Sequence, residues 1–183
     1  YGRDAMLSNC STQKGGYILG AQEVGGIIGA LEGDSTLHDT SEVKLTNNAS
    51  YVIVQKYVGG IVGHNETGTI ENCINNGVAA GYDQYVGGIT GYNGTKAVIK
   101  DCASYLSDYD SSIFRMIVDD WKATADYAGG IAGYNNGAIR FNQASEAVAN
   151  KSVSSIVVGR NYVGGITGFN DVSGTLDVHY TIV

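Results

Sequence analysis

The chain has 183 residues, of which 43% are hydrophobic, and its 11 basic and 18 acidic side chains give a formal net charge of −7. This hydrophobic content argues against disorder, and the acidity argues against nucleic acid or an anionic membrane as the main partner. No apolar run approaches the roughly 20 residues of a membrane span, so no membrane insertion is predicted. The 27 glycines accompany no proline, which excludes a collagen-like chain.

A nine-residue motif recurs along the chain. It is clearest as Tyr-Val-Gly-Gly-Ile-Val-Gly-His-Asn from Tyr57, it begins again at Tyr85, Tyr127 and Tyr162, and a weaker copy starts at Val24. Self-similarity of this kind predicts stacked units that cannot bury their apolar faces alone. The recurring positions are Gly25, Gly26, Gly59, Gly60, Gly87, Gly88, Gly129, Gly130, Gly164, Gly165, Asn65, Asn93, Asn135 and Asn170.

The shortest unit, residues 57–84, contains three short apolar segments separated by corners rich in Asn and Gly. This pattern is typical of one coil of a parallel β-solenoid. We therefore predict an all-β, right-handed parallel β-solenoid of about five coils, which forms a single domain over residues 1–183. The chain starts at Tyr1 without an initiator Met, and we expect it to be an excerpt of a longer repetitive protein.

The glycine pair has a predicted mechanical role. Val58 and Ile61 are three positions apart, and an odd spacing in a plain strand would direct their side chains to opposite faces. A bulge or sharp bend at Gly59-Gly60 would turn both inward, and glycine tolerates the positive φ angles that this requires. The recurring asparagines are predicted at corners with left-handed residues, where their stacked side chains can also hydrogen-bond along the rod.

Two longer units predict loops inserted into the coil, one near residues 46–55 and one over residues 104–126. Long insertions in solenoids often carry binding, and aromatic side chains are favoured at interfaces. The alternative is a flap that packs its apolar residues onto the coil. The candidate binding residues are Tyr105, Tyr109, Phe114, Trp121, Asp119 and Asp120.

The motif Tyr-Val-Gly-Gly-Ile-Val-Gly-x-Asn, followed by Gly-x-Ile-x-Asn-Cys, resembles the GLUG repeat of bacterial surface proteins. The resemblance is fullest from Tyr57 to Asn93, whereas Leu31 stands where the first copy should have Asn. Proteins with such repeats include large secreted adhesins and the non-catalytic N-terminal regions of immunoglobulin-A-specific zinc metalloendopeptidases. The resemblance implies an extracellular, bacterial cell-surface or secreted setting, but it supplies no ligand and no binding residues.

No catalytic or metal site is predicted. His38, His64 and His179 are isolated, and none has a second ligand at the spacing of a zinc site. The acids of the longer insertion could imitate the carboxylates of a carbohydrate-active β-helix enzyme or bind calcium, but we interpret them as solvated loop acids of an acidic protein. The cysteines are interpreted as buried structural residues, and a disulfide between Cys73 and Cys102 is conceivable if neighbouring coils stack.

The sequence thus predicts a non-catalytic extracellular module without a cofactor, which acts as an adhesin or stalk. Its surface is predicted to bind a host glycoprotein or glycan, and immunoglobulin A is one candidate. It would also contact neighbouring repeats or domains of the same chain. One alternative is an accessory, substrate-engaging domain of a secreted immunoglobulin-A-specific zinc metalloprotease. A carbohydrate-active β-helix enzyme is a remote alternative.

Overall fold

The computed structural model describes residues 1–8, 10–12, 17–33, 36–37, 46–48, 51–105, 125–140, 151–153 and 157–177. These residues contain 21 strands and no helix, so the all-β prediction is confirmed. In chain order the strands are β1 (Gly2–Arg3), β2 (Met6–Leu7), β3 (Tyr17–Gly25), β4 (Ile28–Glu32), β5 (Thr36–Leu37), β6 (Thr46–Asn48), β7 (Tyr51–Gly59), β8 (Val62–Asn65), β9 (Thr69–Glu71), β10 (Cys73–Asn75), β11 (Val78–Gly87), β12 (Thr90–Asn93), β13 (Val98–Lys100), β14 (Ala103–Tyr105), β15 (Tyr127–Gly129), β16 (Ala132–Asn135), β17 (Ala138–Arg140), β18 (Lys151–Val153), β19 (Tyr162–Gly164), β20 (Thr167–Asn170) and β21 (Thr175–Asp177).

The strands form four sheets in which all pairs of neighbours are parallel. Successive copies of the motif each add one strand to a sheet, as expected of a parallel β-solenoid. We number the copies repeats 1 to 5 by their glycine pairs, which begin at residues 25, 59, 87, 129 and 164. Sheet 1 has the order β1-β4-β8-β12-β16-β20, sheet 2 has β2-β5-β9-β13-β17-β21, sheet 3 has β6-β10-β14-β18, and sheet 4 has β3-β7-β11-β15-β19.

The register corrects the first predicted insertion. Strand β6 pairs with β10, and β7 pairs with β11, so residues 46–48 and 51–55 belong to the regular ladder. Leu37 pairs with Ile70, whereas Thr46 pairs with Cys73, so the extra residues of repeat 1 lie between Leu37 and Thr46. This stretch is outside the described residues. The apolar run Tyr51-Val52-Ile53-Val54 is a strand and not a loop because its β-branched residues pair in register with the next repeat.

The described residues form two core clusters, and Gly59-Gly60 connects a member of one to a member of the other. Ile61 lies in a large cluster with the buried isoleucines of the following repeats, whereas Val58 packs in a separate cluster with Val86 and Ala125. Val58 and Ile61 are both fully buried, but they do not point into the same cluster. The chain bends at Gly60 and Ile61, between β7 and β8, and both side chains are buried as the predicted bulge or bend requires, but neither glycine of the pair has the positive φ that was expected.

The left-handed residues also differ from the prediction. Among the described residues, the only glycine with positive φ is Gly33, at 65°. Tyr57 and Tyr85 have φ of 56°, and Asn72 has φ of 53°. The register of sheet 4 shifts between Gly81 and Gln84, just before Tyr85. The irregularity therefore precedes the glycine pair and falls on the tyrosine that opens each of these two motifs.

Candidate functional site

The glycines of the motif bring two strands into backbone contact. In repeat 3 a Cβ atom on Gly87 would overlap the Thr90 carbonyl oxygen, and one on Gly91 would lie 2.5 Å from the Tyr85 carbonyl oxygen. The end of β11 and the start of β12 therefore pack together with no side chain between them. This close approach places the rings of Tyr85 and Tyr92 beside each other on the outside, with centroids 5.7 Å apart.

The first tyrosine of each motif forms one column of rings along the ladder. The stacked pairs are Tyr57–Tyr85, Tyr85–Tyr127 and Tyr127–Tyr162, with centroids 5.1, 5.0 and 4.9 Å apart. The rings are within 21° of parallel. This spacing follows the distance between neighbouring strands because identical positions of successive repeats lie in register.

A second column consists of the residue that precedes the motif asparagine: His64, Tyr92, Tyr134 and Phe169. Tyr92 stacks on Tyr134 at 5.2 Å, Tyr134 stacks on Phe169 at 5.3 Å, and His64 meets Tyr92 edge to face at 5.0 Å. Most contacts between rings of different columns are edge to face, as between Tyr85 and Tyr134, whose ring planes make an angle of 79°. Stacked and edge-to-face pairs each contribute about 0.5–1.5 kcal/mol beyond burial. We call the eight residues of the two columns the aromatic face.

Charged side chains border the start of the aromatic face. The His64 ring lies between two carboxylates, with Nδ1 3.2 Å from Glu23 Oε1 and Nε2 3.0 Å from Glu66 Oε2. The same ring stacks on Tyr57 at 4.9 Å, and Lys56 Nζ lies 4.8 Å from the centre of the Tyr57 ring. Repeat 1 contributes Glu23 at the position of Tyr57, so the aromatic columns begin at repeat 2.

The other border of the aromatic face has a tyrosine–carboxylate pair. The Tyr134 hydroxyl donates a hydrogen bond to Asp171 Oδ2. This bond raises the pKa of Tyr134 far above its usual range and lowers the pKa of Asp171, to which the Val172 amide also donates. Burial raises the pKa of Tyr85 and of Tyr92.

We expect these shifts to appear in an alkaline titration. Asp171→Asn removes the charge that opposes ionisation of Tyr134, so one tyrosinate should form at lower pH when absorbance is followed at 295 nm. Because the folded-state pKa of Tyr134 is raised, its stabilising effect is present below the usual tyrosine pKa near 10 and is lost as pH rises through the folded value. Tyr134→Phe is the control, and it should remove the late-titrating group; identical titrations of Asp171→Asn and the parent chain would contradict the assignment.

Beneath the second column, four asparagines, three of them buried and the last exposed, form a continuous ladder. The Nδ2 atoms of Asn65, Asn93 and Asn135 donate to the Oδ1 atom of the next member at 3.0, 2.8 and 2.7 Å. The last member, Asn170, donates to the Gly174 carbonyl oxygen at 2.8 Å. We call these four residues the asparagine ladder. They lie at strand ends, and none has a positive φ, so their prediction as left-handed corners is wrong.

The first rung of the asparagine ladder is incomplete. Asn65 Oδ1 is buried and has no hydrogen-bond partner among the described residues. Leu31 pairs with Asn65 and occupies the position where a further asparagine would donate. The fully buried Leu31 instead joins the large core cluster.

The residues predicted to bind a ligand fall mostly outside the described part of the chain. Tyr109, Phe114, Asp119, Asp120 and Trp121 all lie there.

The described ends of the second predicted insertion belong to the regular structure. Ser104 and Tyr105 lie in β14 and pair with Ser152 and Val153, so the insertion does not begin at residue 104. Asp126, at its other end, accepts hydrogen bonds from Arg160 and Asn161 at 2.7 Å and directly precedes Tyr127 of the aromatic face.

The aromatic face was not predicted from the sequence. Tyr57 and its equivalents recur in the motif, but His64, Tyr92, Tyr134 and Phe169 occupy a position whose residue type varies. A usable signal was present, because this position holds an aromatic or imidazole ring in four successive copies. In a parallel in-register array, a ring at one motif position must meet the ring of the next repeat.

Within the described residues, no group of three His, Cys, Asp or Glu side chains is arranged to hold a metal ion. That part of the chain also has no helix long and apolar enough to cross a membrane.

The chain carries the GLUG motif, whose family model matches residues 55–79. The match begins at the end of β7 and runs through β8, β9 and β10 into β11, so it covers one passage through the four sheets. No curated protein matches the chain, and no solved structure matches it.

Proposed function

We propose that this chain is a non-catalytic, extracellular repeat module of a bacterial surface protein, built as a right-handed β-solenoid of about five coils. We further propose that it binds a host glycan or glycoprotein through the aromatic face. The GLUG motif supports the setting, because it suggests a repeat module of surface proteins. The observation that carries the binding proposal is the pair of ring columns on the outside of the ladder.

The aromatic face has the chemistry of a recognition surface. Tyrosine presents a large amphipathic contact area and loses little conformational entropy on binding, since the ring has only two torsions. Here neighbouring rings hold one another in place, so part of that entropy is already lost before a ligand arrives. Tyr162 at the end of the first column is 47% exposed and therefore available for contact.

The insertion predicted to bind a ligand is continuous with this surface in the chain. It returns to the ladder at Ala125, two residues before Tyr127. We propose that residues of the insertion, with Trp121 foremost, extend the contact that begins on the aromatic face. The rings and the neighbouring acids Glu66 and Asp171 would then face the same ligand.

The test is to screen host glycans and immobilised immunoglobulin A with the intact chain and to repeat the measurement with variants. Tyr92→Thr removes a ring from the second column and should weaken binding at least about tenfold, as expected of an aromatic hot spot. Tyr92→Phe keeps the stacked ring and separates loss of the hydroxyl from loss of the ring. Tyr82→Thr is the matched control, since Tyr82 is 39% exposed but does not belong to the aromatic face.

Each variant needs a thermal melt to show that it is folded. If Tyr92→Thr binds like the parent chain while Trp121→Ala abolishes binding, the insertion alone is the site and the aromatic face is structural. Failure of every glycan and immunoglobulin probe to bind the folded parent chain would contradict the proposed ligand class.

A further inference from the structure

Two cysteines lie side by side in neighbouring repeats. In sheet 3, Ile74 pairs with Ala103 in parallel register, and Cys73 and Cys102 directly precede these two residues. Neighbouring parallel strands are about 4.8 Å apart, which lies within the Cα separations of about 4.4–6.8 Å that a disulfide spans. The register therefore brings the two cysteine backbones within reach of a covalent bond.

The two side chains are also oriented alike and buried together. Each Sγ donates to the carbonyl oxygen two residues before it, at 3.3 Å for Cys73 and at 3.2 Å for Cys102. Their exposed fractions are 1% and 0%, and both belong to the large core cluster. The Cys102 Sγ also donates to the Ile70 carbonyl oxygen at 3.5 Å, so this thiol reaches into the repeat that carries Cys73.

The third cysteine is placed differently. Cys10 is only partly buried, and its Sγ donates to the Ser8 carbonyl oxygen at 3.4 Å. Thr46 pairs with Cys73 on the side opposite Cys102, so in repeat 1 a threonine, and not a cysteine, lies next to Cys73. Cys73 and Cys102 are thus the one pair of cysteines that the described ladder places next to each other.

We propose that Cys73 and Cys102 are a redox modification site at which a disulfide links repeats 2 and 3. A low-molecular-weight disulfide such as oxidised glutathione is the oxidant. The thiolate of one cysteine attacks it, forms a mixed disulfide and releases one glutathione thiolate. The thiolate of the other cysteine then attacks the protein-bound sulfur and releases the second glutathione, so that two protein thiols lose two protons and two electrons.

Burial decides when this reaction can occur. It raises the pKa of the Cys102 thiol well above the usual range of cysteine, and the neighbouring Cys73 side chain raises it further. The folded chain therefore holds little thiolate at this position, and the bond forms while the repeats are still assembling or when they open. The same burial then keeps soluble reductants away from the finished disulfide.

The expected consequence is a more stable oxidised chain. The bond would close a loop between residues 73 and 102 and so restrict the unfolded state. For a chain of this length, we expect the thermal midpoint to rise by about 5–10 °C. The inference does not depend on the proposed ligand or on the aromatic face.

The experiment is to refold the full chain once with a glutathione redox mixture and once with a reductant, and to count thiols after denaturation. We expect one thiol in the oxidised chain, Cys10, and three in the reduced chain. Trypsin cleaves after Lys96 and Lys100 and so separates the two cysteines, which allows a mass spectrum without reduction to identify the joined peptides. Three thiols after oxidative refolding, or joined peptides that contain Cys10, would overturn the proposal.

Variants give an independent readout. Cys73→Thr copies the residue that Thr46 places at the corresponding position, so it should be accepted by the fold. This variant and Cys102→Thr should each lose the rise in thermal midpoint on oxidation, whereas Cys10→Ser should keep it. A rise that persists in Cys73→Thr would show that the stabilisation has another origin and would overturn the assignment.

Discussion

Gly88→Val is expected to prevent folding or to lower the thermal midpoint by about 10 °C or more. A Cβ atom at this position would overlap the Gly130 carbonyl oxygen of the next repeat and Ser104 Oγ inside the ladder. The Gly88 amide also donates to the Gly129 carbonyl oxygen at 3.2 Å, so the two repeats cannot separate without losing hydrogen bonds. Overpacking against backbone costs about 3 kcal/mol or more, and each kcal/mol corresponds to roughly 2–4 °C for a chain of this size.

The chain contains a matched control for this substitution. Gly165 occupies the same position in the motif of repeat 5, and a Cβ atom there would meet no atom of the described residues within 4 Å. We expect Gly165→Val to change the thermal midpoint by no more than about 2 °C. Equal destabilisation by the two substitutions would show that the motif requires glycine for a reason other than contact with the following repeat.

A third variant separates steric contact from backbone conformation. Asparagine accepts positive φ better than most residues, so Gly88→Asn would be tolerated if a left-handed conformation were the reason for glycine. Gly88 has no positive φ, and we therefore expect Gly88→Asn to be about as damaging as Gly88→Ala. The measurement is a thermal melt of the parent chain and the four variants by far-UV circular dichroism.

The strand pattern could be predicted from the sequence because the repeat supplies the register. Once Tyr57 and Tyr85 are aligned as equivalent positions, parallel stacking and the pairing of Val58 with Val86 follow. The positions of the residues with positive φ could not be predicted from the repeat. Positive φ falls on Tyr57 and Tyr85, although tyrosine has no intrinsic preference for the left-handed region. Glu23 at the same position of repeat 1 shares that conformation, whereas the stacked Tyr127 does not, so the ring columns do not account for it.

The candidate site was only partly accessible to sequence reasoning for a related reason. The predicted binding residues were those that interrupt the repeat, such as Trp121, because positions that recur in every copy offer similar side chains and hence little specificity. Stacking has the opposite effect, since a side chain that is unremarkable in one repeat becomes a continuous column across four. Residues of the insertion have no counterpart in other repeats, so no register predicts their neighbours.

Asn93→Asp is expected to destabilise the chain by about 3–5 kcal/mol at neutral pH. Asn93 is fully buried, accepts a hydrogen bond from Asn65 and donates one to Asn135 Oδ1 at 2.8 Å. An ionised aspartate keeps the acceptor but loses the donor, and it places a buried charge against the Asn135 oxygen. Protonation restores an O–H donor, so the folded-state pKa of the new carboxyl must lie above its unfolded value near 4.

The sign of the pH dependence follows from that shift. The penalty is absent below the unfolded-state pKa and is complete once pH has risen through the folded-state pKa, so the variant should approach the parent chain in acid. Urea unfolding of both chains at pH 4 and pH 7.5 measures the difference. Asn170→Asp is the control, because Asn170 is exposed: its Oδ1 accepts from Asn135 at 2.7 Å, and water can replace the bond that its Nδ2 donates to the Gly174 carbonyl oxygen. A carboxylate can accept the same bond while it stays in water, so the control should lose less than about 1 kcal/mol with little dependence on pH. If Asn93→Asp were no more sensitive to pH than Asn170→Asp, the hydrogen bonds of the asparagine ladder would not be what requires an amide at its centre.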